Sequence, residues 1–452
     1  MAATRVPVRV ADCFLLAMTS FMRRTGQGAH LIASVLELER APDLSMVRSA
    51  LVRMVEKHPL LIAHLRRDWR TWLPFWEVSP PAAGLSFPLS LWRENGSPGA
   101  LGDAAQSVEC ARARLQAIIS EPLPGGFHAR LDIVERRDGS CLAALTWSHL
   151  IIDGKGAELV LAEFARLCCG VDVSCEVKEQ VRPGTTWREK VTKTKGAIYH
   201  LQNLAKNRIR SPGGPKPRRG RGCFQVIHLD RATSDRVRAR VEQATGALFP
   251  LAFFVACAAR AHDRVLTARG NSADGFVTSV PIQTRKRGAQ GPLFHNHVTV
   301  LFFGGKREQL ATLESAAAAL KQQFSEMMRA RLDESFTAVL ELMMRLPSWL
   351  FMFVVRQQFR GEICSFFLSH TGPFAPETTA FAGARVTNAY HLPSVSTPPG
   401  TGMFFCEHEG RLNITLSWRE GALTDDERRL MAAQTLEDLL GEPRPDLVDA
   451  GL

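Results

Sequence analysis

The chain contains no Cys-x-x-Cys pair. Its ten cysteines are scattered, and only Cys168 and Cys169 are adjacent, so the ligand spacing of a common zinc site is missing and no metal is expected. Long apolar runs are also missing. Cys13 to Met18 is short for the core of a secretory leader and is followed by Arg23-Arg24, which argues against a leader. Leu346 to Val355, the longest charge-free apolar run of the C-terminal half, falls well short of a bilayer span. Scattered cysteines without a leader point to a reducing, cytoplasmic setting. There is no short-period repeat, and the two halves share a broad layout but not sequence.

What is present is globular. The chain has 452 residues, 45% hydrophobic and 22% charged, which argues against a disordered or fibrous protein. That length suggests two domains, or two lobes sharing a channel. A formal net charge of +11 favours acidic partners such as phosphate groups, an acidic protein or an anionic membrane surface.

Leu31 to Leu38 reads as a strand. Asp43 then reads as an N-cap for a helix with Leu44, Val47, Leu51, Met54 and Val55 on one face, ended by Lys57-His58-Pro59. Trp69 to Trp76 is an aromatic segment expected to be partly buried. Leu131 to Arg136 and Cys141 to Trp147 form a hairpin about Asp138-Gly139. Ala205 to Gly222 carries seven Lys or Arg among prolines and glycines and reads as a basic flexible linker. It divides a lobe of residues 1–204 from a lobe of residues 223–452. The second lobe holds strands at Phe224 to Leu229, Phe276 to Val280 (ending at Pro281) and His297 to Phe303. Helices start near Ser234 and Pro250, and another spans Leu313 to Met328. A hairpin turns at Glu409-Gly410, and a Thr424/Glu427 capping box opens the last helix. Strands and helices alternate in both halves, so an α/β or α+β fold with two mixed sheets is expected.

The segment His149-Leu150-Ile151-Ile152-Asp153-Gly154 stands where the Cys141–Trp147 strand meets a helical pattern. A histidine at the end of a buried strand sits in a partly dry site, where a neutral imidazole can take a proton. Asp153 can fix the local backbone and meet a cation. Gly154 allows a turn with positive φ. A satisfied core histidine is the competing reading.

Companion motifs follow in order: "LVRMVEKHPLL" (Leu51 to Leu61), "TWSHLIIDG" (Thr146 to Gly154), "SVPIQTRKR" (Ser279 to Arg287), "FHNHVTVLFF" (Phe294 to Phe303) and "FFLSHTGPF" (Phe366 to Phe374). With these, the chain resembles the superfamily of condensation domains and CoA-dependent acyltransferases. The resemblance covers almost the whole length. The segments from Leu346-Pro347 to Val386 lean toward its wax ester synthases, and "EKHPLL" leans toward its condensation domains.

The resemblance implies two chloramphenicol-acetyltransferase-like lobes in a V, with a central channel. It implies acyl transfer from a coenzyme A thioester, or from a phosphopantetheinyl acyl carrier protein, to a hydroxyl or amine, with no permanently bound cofactor. His149 is then the general base. Asp153 pairs with Arg285 as a strut between lobes, although Arg285 also reads as a solvated member of the Arg285-Lys286-Arg287 run. Ser369, His370 and Asn296 become candidates for contacting the oxyanion or substrate, with a structural turn at Thr371-Gly372-Pro373 as the alternative. Three positions depart from the family pattern. Ser148 replaces a histidine, His295 a glycine and His370 an asparagine, and together they leave open a non-catalytic module that binds a carrier protein or partner.

The basic stretch Lys206 to Arg221 reads as a solvated linker, or as a dock for an acidic carrier or for coenzyme A phosphates. It lacks the interleaved aromatics of a nucleic-acid site. The segment Leu342 to Phe359, with Arg345, Arg356 and Arg360, reads as a core or tunnel-lining helix, or as a peripheral membrane contact.

Overall fold

The structure, a computed structural model, describes residues 4–171, 187–271, 273–286, 288–449 and 451. Cys175 and Arg287 lie outside the described residues. The first eight strands are β1 Thr4–Pro7, β2 Leu31–Leu38, β3 His64–Arg67, β4 Pro74–Val78, β5 Leu89–Glu94, β6 Gln106–Val108, β7 Ala129–Glu135 and β8 Cys141–Ser148. The next eight are β9 Gly222–His228, β10 Gly275–Gln283, β11 Val298–Lys306, β12 Phe366–Pro373, β13 Ala380–Phe381, β14 Ala384–Pro393, β15 Thr401–His408 and β16 Arg411–Arg419. The helices begin with α1 Val10–Arg24, α2 Leu44–Lys57, α3 Ala111–Ile118, α4 Gly154–Cys168, α5 Trp187–Leu204 and α6 Arg231–Thr245. They continue with α7 Pro250–Ala268, α8 Leu313–Arg329, α9 Leu332–Met343, α10 Ser348–Gln357, α11 Asp425–Leu440 and α12 Pro445–Val448.

Two mixed sheets carry the fold. The first has the order β13-β14-β2-β8-β7-β5-β6, and the second β11-β10-β12-β15-β16-β9. A small antiparallel sheet, β1-β4-β3, stands apart. Strand β8 is buried along its whole length, because it lies inside the first sheet between β2 and β7 and both its faces are covered. The hairpins at Gly139 and Glu409-Gly410 turn with positive φ. Asp43 caps α2 through the N–H groups of Ser45 and Met46, and Thr424 with Glu427 caps α11, satisfying donors that a helix start leaves open.

The two sheets are not two stretches of chain. β14, from the C-terminal half, pairs with β2 from Val386↔Leu38 to Pro393↔Ile32, so residues after 380 complete the first sheet. Conversely, α5 precedes residue 205 but packs with the second sheet's helices. Ala197 is buried in that core, and Lys190 and Lys193 pair with Glu341 and Glu334 of α9.

The stretch from Ala205 to Arg221 also differs from a solvated linker. Lys206, Lys216, Arg218, Arg219 and Arg221 are exposed, but Ile209 is buried against Leu204, Val277 and Phe359. Ser211 donates from its backbone N–H and from Oγ to the buried Glu362 at 3.2 and 2.7 Å. Arg269 and Arg356 donate to the carbonyls of Pro212 and Pro215. Composition counts side chains, and here backbone carbonyls and one isoleucine hold the chain down.

One smaller expectation changes as well, and the partly buried aromatic segment forms as expected. β10 runs past Pro281 to Gln283 while still paired with β11. β12 pairs with β10 only at Thr278 and Ser279, so that flank of Pro281 carries no ladder and proline is tolerated. In the aromatic segment Trp76 is buried, whereas Trp69 and Trp72 are exposed.

Candidate active site

His149 follows directly on β8, and its N–H donates to the carbonyl of His30 at 3.2 Å. The ring Nδ1 lies 3.1 Å from the carbonyl of Ile152. A carbonyl only accepts, so Nδ1 carries the proton and Nε2 keeps its lone pair. The ring packs beside Trp147 and His30, with centroids 5.4 and 5.0 Å away, and borders a cavity of about 1040 Å³. Burial holds the imidazole below its ordinary pKa, against opposing pulls from Asp153, the Ile152 bond and Asp12. At neutral pH the ring is uncharged.

Asp153 is the N-cap of α4, with Oδ1 accepting from the N–H of Gly156 at 2.7 Å. Its Oδ2 accepts from Arg285 Nη1 at 2.6 Å and from the N–H of His297 at 2.8 Å. The structure therefore brings Asp153 and Arg285 together across the two sheets. The Arg285 side chain is 2% exposed, which excludes the solvated reading. Its Nε donates to the carbonyl of Pro292 at 2.9 Å. The carboxylate thus takes three donors, fixing the first turn of α4 and the loop before β11 in one arrangement.

Asn296 is a strut too. Its side-chain amide donates to the carbonyl of His149 at 3.0 Å and to Asp12 Oδ1 at 2.7 Å. Sequence reasoning missed Asp12, a buried residue in the first turn of α1 that also accepts from the N–H of Asn296 and pairs with His295 Nδ1 at 2.9 Å. The detectable signal was an acidic residue next to an apolar run. His295 has φ of 67°, a conformation that favours glycine. That explains why a glycine suits this position, and why His295 is held on both sides, by Asp12 and by its N–H bond to the carbonyl of Ile151.

The glycine roles also change. Gly154 is not among the glycines with positive φ. It is the first residue of α4, and a Cβ there would point at His391 Nε2, 3.5 Å away. The glycine that sterics require is Gly156, where a Cβ would fall 2.2 Å from the carbonyl oxygen of Leu293. Gly156→Ala should therefore cost at least about 2–3 kcal/mol, the range of severe overpacking. Urea unfolding of both proteins checks this, and an unchanged midpoint would contradict the packing.

Ser369 and His370 both border the cavity but have different neighbours. Phe367 and Ser369 face the cavity and are half-buried. Phe366, Leu368 and His370 alternate toward α7, where Phe366 stacks on His262 and His370 on Phe254, while Leu368 and His370 still border the cavity. Burial there lowers the His370 pKa to about 4. Both Ser369 and His370 border the cavity, and the His370 ring is already engaged by Phe254. Ser148 is buried, its Oγ 3.4 Å from the N–H of Leu150. Among the described residues, no three His, Cys, Asp or Glu side chains converge as a metal site requires.

The cavity runs between the two sheets. The first side contributes Trp147, His149 and Gly154, and the second Ser279, Val298 and Ser369. No family model and no curated protein matches the chain, but solved structures do. The first condensation domain of the calcium-dependent antibiotic synthetase superposes with a TM-score of 0.68 at 16% identity, covering 100% of this chain and 99% of its own. The fold is that of the condensation domains. The trichothecene 15-O-acetyltransferase of Fusarium sporotrichioides shares it, with a TM-score of 0.70 at 12% identity over 98% and 96% of the two chains. So does the starter condensation domain of rhizomide synthetase, bound to C8-CoA and Leu-SNAC, with a TM-score of 0.62 at 14% identity over 99% and 97%. At such identities the likeness carries the condensation-domain fold, and function must come from the site.

Proposed function

We propose that the protein is an acyltransferase that moves an acyl group from a thioester to a hydroxyl or amine, with His149 as general base. The observation that carries this reading is the His149 ring, whose Nδ1–H is tied to the Ile152 carbonyl while the ring borders the cavity. In the proposed step Nε2 takes the proton of the acceptor O–H or N–H as that atom attacks the thioester carbonyl. The tetrahedral oxyanion collapses, the C–S bond breaks, and the imidazolium returns the proton to the leaving thiolate. No acyl-enzyme is needed if both substrates meet in one cavity. Ser369 is the proposed oxyanion donor. The donor would be acyl-CoA or an acyl group on an acidic carrier protein. Lys286 borders the same cavity, and its charge suits phosphates; Lys155 borders it too, with its ammonium paired to Glu158 at 2.8 Å. A cavity that reaches His149 supports this reading over a non-catalytic module.

The test is thiol release from a panel of acyl-CoAs with alcohols and amines, followed across pH. Because burial holds His149 below 6.5, the rate should be level around pH 7. It should fall only as acid protonates the ring, below the usual histidine range. An acid limb centred above pH 7, or no acceptor-dependent release, would remove the proposal.

Peripheral membrane contact through residues 342–359 belongs to the same proposal. No single helix among the described residues is long and apolar enough to span a bilayer. However, α10 leaves Trp349, Phe353 and Val354 exposed, and Arg345 and Arg360 are exposed beside it. Flotation with anionic liposomes at low salt should recover the protein, and Trp349→Ala/Phe353→Ala should weaken recovery. Protein left wholly in the bottom fraction would rule the contact out.

A further inference from the structure

The cavity that His149 borders is much larger than the chemistry at His149 requires. Its volume of about 1040 Å³ is at the upper limit of ordinary ligand sites. Away from the His149 loop, its wall is built by β11, α9, α10 and α5. β11 is the edge strand of the second sheet, and its residues alternate. Leu301 and Phe303 are buried in the core, while Val298, Val300 and Phe302 are half-buried and line the cavity. Phe336 and Val339 of α9 and Val355 of α10 line it as well. Among the described residues, these four elements contribute no charged side chain to the lining and Thr194 as the one polar side chain, with Gln358 lining it directly after α10. Such a wall offers a ligand burial and almost no hydrogen bonds.

The arm does not end blindly. Ile198 of α5 and Val354 of α10 both line the cavity and are 46% and 45% exposed. Tyr199 and Phe353 beside them are exposed too. The arm therefore opens to solvent through an apolar rim. By contrast, the cavity's lining near α4 and the loop after β10 includes Lys155, Lys286 and Gln290.

We infer that this arm binds a long aliphatic chain, carried either by the acyl donor or by the acceptor. The inference rests on the acyl-transfer reading only for naming those two carriers. Each methylene taken into the arm strengthens binding about fourfold (about 0.8 kcal/mol). Because the far end is open, affinity levels off once the chain reaches the rim and does not collapse for longer chains.

The test is displacement of bound cis-parinaric acid by two series of probes, n-alkanols from butanol to hexadecanol and saturated acyl-CoAs from butyryl to palmitoyl. Wild-type protein should show the methylene increment and then a plateau. Whichever series shows it identifies the carrier. Val300→Trp and Val339→Trp, which fill the arm from two different elements, should weaken the longest probes more than tenfold and spare the butyl probes. Melting temperatures report whether each variant is folded. Affinity independent of chain length in both series, or folded variants that bind hexadecyl probes like wild type, overturns the inference. If long chains bind as expected but no acyl-CoA releases thiol with any acceptor, the transfer reading falls and the chain site stands. If acetyl-CoA is turned over and neither series depends on chain length, the chain site falls and the transfer reading stands.

Discussion

His149→Ala is expected to lower acceptor-dependent thiol release by roughly 10²–10⁴-fold, the usual share of general-base catalysis. The loss should fall mainly on turnover, because the rest of the cavity wall that holds the two substrates is untouched. The substitution removes the hydrogen bond from Nδ1 to the Ile152 carbonyl, worth about 1 kcal/mol, and the ring's packing beside Trp147 and His30 on a side chain that borders an open cavity. The melting temperature should therefore move only slightly. That contrast separates a lost base from a damaged fold. An alanine variant with wild-type turnover on an authentic substrate pair would show that another group takes the proton.

Arg285→Ala should act on both properties at once. It leaves the Asp153 carboxylate buried with two backbone N–H donors and no cation. Breaking a buried pair on one side costs roughly 3–5 kcal/mol. The destabilisation should appear in chemical unfolding, and thiol release should fall with it, since Asp153 sets the loop that carries His149. The double variant Asp153→Asn/Arg285→Met should recover part of the stability, because no charge is then left unpaired. Full activity with an unchanged unfolding midpoint in Arg285→Ala would mean that the pair does not hold the lobes.

What could be read without coordinates was local. The N-cap at Asp43, the hairpin at Asp138-Gly139 and the capping box at Thr424 are each written within a few residues, and each forms. What could not be read depends on partners far apart in the chain. Asp12 works through Asn296, 284 positions away. Gly156 is required because the Leu293 carbonyl rests on it. Ser369 and His370 are adjacent in sequence and both border the cavity, and only the fold shows that the His370 ring stacks on Phe254, more than a hundred positions away. The Ala205–Arg221 stretch misled for the same reason, since the groups that anchor it, Glu362, Arg269 and Arg356, lie far along the chain.

The pairing of β14 with β2 sets an order for synthesis. As the chain leaves the ribosome, β2 can join β8 early, but its other edge stays open until residue 393 has emerged. For most of translation the first sheet presents a row of unmatched peptide groups, a template for association with other chains. A fragment ending at the basic stretch would keep that open edge permanently. The two lobes are therefore not separable products, and the last third of the chain acts as the closing strand for the first.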